Sequence, residues 1–97
     1  MYNPPQRPRI DWDPILERAL RSMGTNAREI EAMLREDAPV TDEVPSRDKV
    51  TCTSAGTLRS GVPICVVFDQ YQSGAIRILD VYRIDPEQLE QIGKLAR

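Results

Sequence analysis

The chain has 97 residues, of which 40% are hydrophobic and 29% are charged, and its net charge at pH 7 is −2. This length favours one domain with a modest core, and the composition is typical of a folded globular protein. No apolar stretch approaches the roughly 18–20 residues of a membrane span, and the amino terminus lacks an apolar signal segment. We therefore expect a cytoplasmic protein without a membrane partner.

The chain contains no histidine and only two cysteines, Cys52 and Cys65. Without histidine there is no imidazole base to activate a serine or cysteine nucleophile. Two thiols alone cannot complete a tetrahedral zinc site. We therefore expect no metal and no cofactor, and we interpret both cysteines as small, reduced residues of a sheet.

Charge is distributed unevenly along the chain. Residues 11–43 carry nine acidic residues and four arginines, whereas residues 47–83 carry five basic and three acidic residues. Two interpretations remain open: the acidic residues are simply the solvated faces of helices, or the mildly basic second half contacts an anionic partner.

The first nine residues hold three of the eight prolines and predict an extended arm, which can add a short edge strand around residues 9–11. Residues 10–97 are predicted to form a single domain. A first helix is predicted to begin with Asp13 as N-cap and Pro14 in its first turn, and to end at Gly24 in a left-handed conformation.

A second helix is predicted to begin at Asn26, with Glu29 in the position of a capping box, and to end before Pro39. Two helices joined by a tight turn also occur in DNA-binding helix-turn-helix proteins. The second helix here carries more carboxylates than arginines, and this charge disfavours contact with phosphates.

Residues 40–48 predict a polar connection, and three strands are predicted to follow, within residues 50–55, 62–68 and 75–84. Short loops favour an antiparallel meander with Val62–Phe68 at its centre. Asp85, Pro86 and Gln88 then predict the start of a closing helix. The predicted fold is therefore α+β, with two N-terminal helices on a three- to four-stranded antiparallel sheet and a C-terminal helix.

Loop symmetry predicts which residues share a face of this sheet. If residues 56–61 form the first turn, Cys52 lies opposite Cys65. The larger face, predicted to take the N-terminal helices, would then hold Val62, Ile64, Val66, Phe68, Ile76, Ile78 and Tyr82. The second face would hold Val50, Cys52, Cys65, Val67, Leu79 and Val81, with Arg77 and Arg83 at its rim. The C-terminal helix is too short to cover this second face fully, so we expect a protein partner or a second copy of the chain there.

Several segments resemble the RelE/ParE toxin superfamily, in particular its BrnT-type members. Residues 10–13 are similar to the strand-to-helix transition of that family, and the stretch from Leu16 to Arg35 is similar to its helical hairpin. Residues 58–68 and 75–83 are similar to its last two strands. The resemblance covers residues 9–84, although the turn before Gly24 lacks the histidine that is common in the family.

The resemblance implies a small toxin of a toxin–antitoxin system, acting as an mRNA endoribonuclease that is either free or ribosome-dependent. It implies catalytic or RNA-contacting roles for Arg59, Arg77, Tyr82 and Arg83, with RNA and an antitoxin as partners. The alternative is a non-enzymatic inhibitor of the phage type, such as an anti-CRISPR protein, that acts by protein–protein binding. Small size, acidity and the lack of catalytic groups favour the alternative, whereas the order of elements favours the toxin.

Overall fold

Eight regular elements and one 3₁₀ turn follow one another within the part of the chain that the structure describes. The computed structural model describes residues 9–36 and 40–95, with side chains described as far as Ile92. The strands are β1 (Ile10–Asp11), β2 (Val40–Pro45), β3 (Lys49–Thr57), β4 (Pro63–Tyr71) and β5 (Ile76–Arg83). The helices are α1 (Pro14–Ala19), α2 (Ala27–Arg35) and α3 (Pro86–Leu95), and a 3₁₀ turn (Leu20–Met23) continues α1.

The five strands form one mixed sheet in the order β1-β5-β4-β3-β2. The α+β class and the central position of β4 are confirmed. The sheet is wider than predicted, because the supposed polar connection contains β2, which pairs antiparallel to β3. The short strand expected near residue 10 is present and pairs parallel to β5. Only Arg9 of the predicted N-terminal arm lies within the described residues.

Local capping explains where the helices begin and end. Asp13 Oδ1 accepts hydrogen bonds from the main-chain N–H groups of Ile15 and Leu16, and Gly24 ends the 3₁₀ turn with φ of 77°. Asn26 Oδ1 accepts from the N–H of Glu29 at 3.0 Å and thereby starts α2. These bonds satisfy donors that a helix terminus otherwise leaves unpaired. The predicted starts of both helices and the predicted end of the first helical segment at Gly24 are therefore confirmed, although the last turn of that segment is a 3₁₀ helix.

The core lies between the helical hairpin and one face of the sheet, which we call the inner face. Leu20, Ile30 and Met33 pack there against a row of strand residues that includes Ile64, Val66 and Phe68. Leu20, Ile30, Ile64 and Val66 are fully buried. The predicted packing of the hairpin on this side of β4 is confirmed.

The predicted register between β3 and β4 is wrong by three residues. Cys52 pairs with Phe68, and Cys65 pairs with Ala55, so the two cysteines lie on opposite faces instead of side by side. The cause is Gly56, which lies inside β3 and not in a turn. A Cβ atom at Gly56 would lie 3.2 Å from Met33 Sδ, so the glycine allows α2 to approach the sheet closely.

Both cysteines are buried and have free thiols. Burial raises the pKa of the Cys52 thiol, and the nearby carboxylates of Glu43 and Asp69 raise it further. A thiol in this environment stays protonated and behaves as a small apolar side chain.

The second face of the sheet, which we call the outer face, is partly covered by α3. This helix begins with a capping bond from the N–H of Asp85 to Gln88 Oε1 at 3.0 Å and lies against β2, β3 and β4. Its Leu89 is half-buried, and Ala55 and Cys65 on the outer face are almost completely buried. The helix therefore covers the end of the outer face that holds Ala55 and Cys65.

Candidate functional site

The outer face remains exposed on the side of the sheet that α3 does not reach. We call this part the open face. Its strand order runs from β2 at one edge through β3 and β4 to β5. Its main side chains are Val44, Thr53, Val67, Arg77, Leu79 and Tyr82.

A bulge in β5 gives the open face its most exposed aliphatic group apart from Val44. Val67 pairs with Asp80, whereas Phe68 pairs with Ile78, so Leu79 is an extra residue in β5. Ile78 is buried on the inner face, and Leu79 is 44% exposed. The bulge thus turns two consecutive side chains, Leu79 and Asp80, toward the same side of the sheet.

The free edge of β5 is blocked by a side chain. β1 pairs only with Ile76 and Arg77, which leaves the rest of β5 without a neighbouring strand among the described residues. The N–H of Ile84 donates to the carbonyl of Pro63 and therefore points toward β4. Main-chain groups of a strand alternate between its two neighbours, so the N–H and carbonyl of Val81, three residues earlier, point toward the free edge. Asp80 Oδ1 accepts the N–H of Val81 at 2.9 Å. The bulge and this carboxylate disfavour pairing with a further strand.

A polar cluster borders the open face at the end farthest from α3. Asp69 on β4 is 3% exposed and accepts hydrogen bonds from Thr51 Oγ1 at 2.5 Å and from Lys49 Nζ at 3.0 Å. Arg77 lies opposite Asp69 on β5. These three residues surround a carboxylate that would otherwise be buried without a partner.

The charge of Asp69 is stabilised by this cluster. Burial by itself would raise the pKa of Asp69, but the hydrogen bonds from Thr51 and Lys49 and the positive charges of Lys49 and Arg77 outweigh it. The pKa of Asp69 is therefore lowered from its ordinary value of 3.8. The hydrogen bond and charge of Asp69 in turn raise the pKa of Lys49. Both groups are ionised at neutral pH, so the cluster is structural in character.

Tyr82 lies at the border between α3 and the open face, directly opposite Cys65. A hydrogen bond with the Cys65 thiol, together with burial, raises the pKa of Tyr82 to about 12. The phenol therefore stays protonated at neutral pH. It is engaged with the Cys65 thiol and cannot serve as a base there.

The four residues suggested as catalytic do not meet at one place. In the strand register, Arg77 lies opposite Asp69, whereas Arg83 lies opposite Ile64 at the other end of β5. The two arginines are therefore about 20 Å apart at the usual rise of a strand. Arg59 lies in the loop between β3 and β4 and forms an ion pair with Glu36. Tyr82 and Arg83 are neighbours in β5, but their side chains belong to opposite faces.

The residues suggested for partner binding also divide between the two faces. Cys52 and Val81 are buried in the inner-face core and cannot contact a partner, and the partly buried Val50 packs against that core on the same face. Only Val67 and Leu79 lie on the outer face. The predicted single apolar face is wrong for two reasons: the shifted register moves Cys52, and the bulge at Leu79 moves Val81.

Sequence reasoning missed the polar cluster around Asp69. An aspartate that follows an apolar strand needs a partner when it is buried, and this requirement was the available signal. Thr51 and Lys49 stand two residues apart on the adjacent strand, so they point to the same face and can both reach it. With the wrong register between β3 and β4, however, Asp69 would lie opposite Asp48, and the side chains of Lys49 and Thr51 would point to the other face.

Comparisons with family models, with curated proteins and with solved structures all found no match for this chain. Within residues 9–36 and 40–95, no group of three or more cysteine, aspartate and glutamate side chains is arranged to hold a metal ion. None of the helices in the same ranges is long and apolar enough to cross a membrane.

Proposed function

We propose that this chain is a non-enzymatic protein-binding domain, and that the open face is its contact surface. The observation that carries the proposal is the exposure of large apolar side chains next to a guanidinium group, Arg77, that has no ion pair among the described residues. Val44, Leu79 and Tyr82 are 57%, 44% and 43% exposed on this face. Burying them against a partner removes apolar area from water, which favours association.

The same face indicates the chemistry of the partner. Arg77 is exposed and has no ion pair among the described residues. Arg77 and the half-exposed ring of Tyr82 flank Leu79 along β5. A partner that fits this surface therefore presents an aliphatic group to Leu79 and a carboxylate to Arg77, which a guanidinium binds with two parallel hydrogen bonds.

The partner is expected to bind face-on instead of adding a strand. Asp80 occupies the main-chain donor of Val81, and the bulge interrupts the regular edge of β5. The other edge strand, β2, contains Asp42 and Glu43 and ends at Pro45, which also disfavours strand addition. A helix or loop laid across Val67 and Leu79 satisfies these restrictions.

The experiment compares two variants with the same chemical change. Tagged chain is isolated from cells of its source, and any protein bound to it is identified by mass spectrometry and then purified. Leu79→Glu should abolish binding of the purified partner, whereas Ile15→Glu should not, although Ile15 on α1 is 77% exposed. Equal loss in both variants, or undiminished binding by Leu79→Glu, would refute the proposed contact surface.

The ribonuclease remains a second candidate because one observation favours it. A first strand, two helices, an antiparallel series of strands and a closing helix follow in the order that the resemblance implies, with β2 as an additional strand. The test is growth arrest on induced expression, followed by RNA cleavage with the purified chain. Arg77→Ala and Arg83→Ala should each relieve arrest if the chain is a nuclease, and neither should if it is not.

A further inference from the structure

Two adjoining clefts lie on the helical hairpin, on the side of the molecule opposite to the open face. One has a volume of about 390 Å³ and runs between the end of the first helical segment and the start of α2. The other, of about 520 Å³, continues along α1. Glu17 and Arg21 line both clefts, while Arg28 belongs to the first and Arg18 to the second.

The three arginines of these clefts carry no compensating ion pair among the described residues. Arg35, the remaining arginine of the hairpin, pairs with Glu31 at 3.4 Å. Glu17 is the one acidic residue that lines either cleft among those residues, so three guanidinium groups face a single carboxylate. This is a local excess of positive charge in the half of the chain that is acidic overall.

Main-chain donors add to this charge in the first cleft. The side chain of Asn26 already caps the N–H of Glu29, and the N–H of Ile30 donates to the carbonyl of Asn26. The N–H groups of Ala27 and Arg28, in the first turn of α2, have no partner within the helix. Both residues line the first cleft, which therefore combines guanidinium groups with unpaired amides.

We propose that these clefts bind a small anion with two adjacent phosphate groups. Arg21 lies in both clefts and contacts the two groups together, Arg28 and the first-turn amides hold one of them, and Arg18 holds the other. Guanidinium groups suit this ligand because their planar donor pairs match phosphate oxygens. Glu17 opposes the anion and lowers its affinity.

The experiment is calorimetric titration of the full chain with pyrophosphate, orthophosphate and a nucleoside diphosphate. Pyrophosphate should bind about tenfold more tightly than orthophosphate, since only pyrophosphate spans both clefts. If a nucleoside diphosphate binds with the same affinity as pyrophosphate, its base lies outside the clefts. If it binds more tightly, its base or sugar makes additional contacts with the protein. Both results support the proposal.

Charge-matched variants separate this site from general attraction. Arg21→Gln should weaken pyrophosphate binding about tenfold, and Glu17→Gln should strengthen it severalfold. Arg47→Gln removes the same charge from the turn between β2 and β3 and should leave binding unchanged. All three residues are exposed, so the variants are expected to fold, which thermal unfolding checks.

Three outcomes would overturn the proposal. The first is the absence of saturable pyrophosphate binding up to millimolar concentration at low ionic strength. The second is equal weakening by Arg21→Gln and Arg47→Gln, which would mean that only net charge matters. The third is binding of a short oligoribonucleotide without binding of pyrophosphate, which would point to a nucleic-acid surface. None of these results depends on the open face, so the two proposals are tested separately.

Discussion

Replacing Asp69 with asparagine should destabilise the protein at neutral pH by about 1–2 kcal/mol. The side chain keeps its size and one carbonyl acceptor but loses its charge. Hydrogen bonds to charged groups contribute about 1.5–3 kcal/mol, compared with about 0.5–1.5 kcal/mol for neutral pairs. The bond from Thr51 is 2.5 Å long and ends on a buried carboxylate, whereas the Lys49 side chain is 38% exposed, so most of the loss comes from Thr51.

Urea unfolding at two pH values measures this effect. Because the pKa of Asp69 is lowered from 3.8, its contribution is complete above that value and is lost as pH falls through the folded-state pKa. The difference in free energy of unfolding between the wild type and Asp69→Asn should therefore be largest at pH 7 and shrink below about pH 4. Asp42→Asn makes the same chemical change at an exposed position and is the matched control. Its free energy of unfolding should differ from that of the wild type by nearly zero at both pH values.

A double-mutant cycle that combines Asp69→Asn with Thr51→Val tests whether Thr51 is the hydrogen-bond donor whose loss destabilises the Asp69 variant. The double variant should be less destabilised than the sum of the two single variants, because both remove the same bond. The reasoning would be refuted by equal stability of Asp69→Asn and wild type at pH 7, or by a difference that persists unchanged at low pH.

Three further predictions follow from the core, the Tyr82 contact and the turn at Gly24. Val66→Ala removes two methyl groups from a fully buried position and should lower the free energy of unfolding in denaturant by about 1–3 kcal/mol. Val44→Ala, at an exposed position, should lower it much less, and equal losses would place Val66 outside the core. Ultraviolet absorbance follows the ionisation of tyrosine, and the part of the titration that disappears in Tyr82→Phe should have a pKa of about 12. Cys65→Ala should lower the pKa of Tyr82, and an unchanged pKa in that variant would exclude the contact between the hydroxyl and the thiol. Gly24→Ala should cost about 1 kcal/mol because its φ of 77° strains any other residue, and a neutral result would argue against this conformation.

Local signals in the sequence predicted the helices and the central strand. Asp13, Gly24 and Gln88 make the capping interactions that their residue types favour, because capping depends only on neighbours within a few positions. The run Val62–Phe68 predicted the central strand because a strand buried on both faces is apolar throughout. These features depend on short-range physics that a single sequence contains.

Features that depend on tertiary contacts could not be predicted in this way. Gly56 was interpreted as a turn residue, yet it is needed inside β3 because Met33 approaches it from another element. The bulge at Leu79 interrupts the alternation of β5, and the edge strand β2 has three consecutive polar residues before it ends at Pro45. Neither feature leaves a regular hydrophobic alternation in the sequence. The candidate site was therefore only partly predicted. Val67, Leu79 and Arg77 lie on the outer face as predicted, whereas Val50, Cys52 and Val81 lie on the inner face. Tyr82 was predicted on the helix-covered face and lies on the outer face, because the bulge at Leu79 reverses the alternation of the residues that follow it.

Photo-crosslinking from the open face tests the central claim most directly. A photoreactive phenylalanine analogue is placed at Leu79 in one variant and at Ile15 in the other, and both are irradiated in cells of the source. We expect a discrete crosslinked protein from position 79 and none from position 15, which is the more exposed of the two. The absence of a crosslink at position 79, or the same product from both positions, would contradict the assignment of the open face as the contact surface.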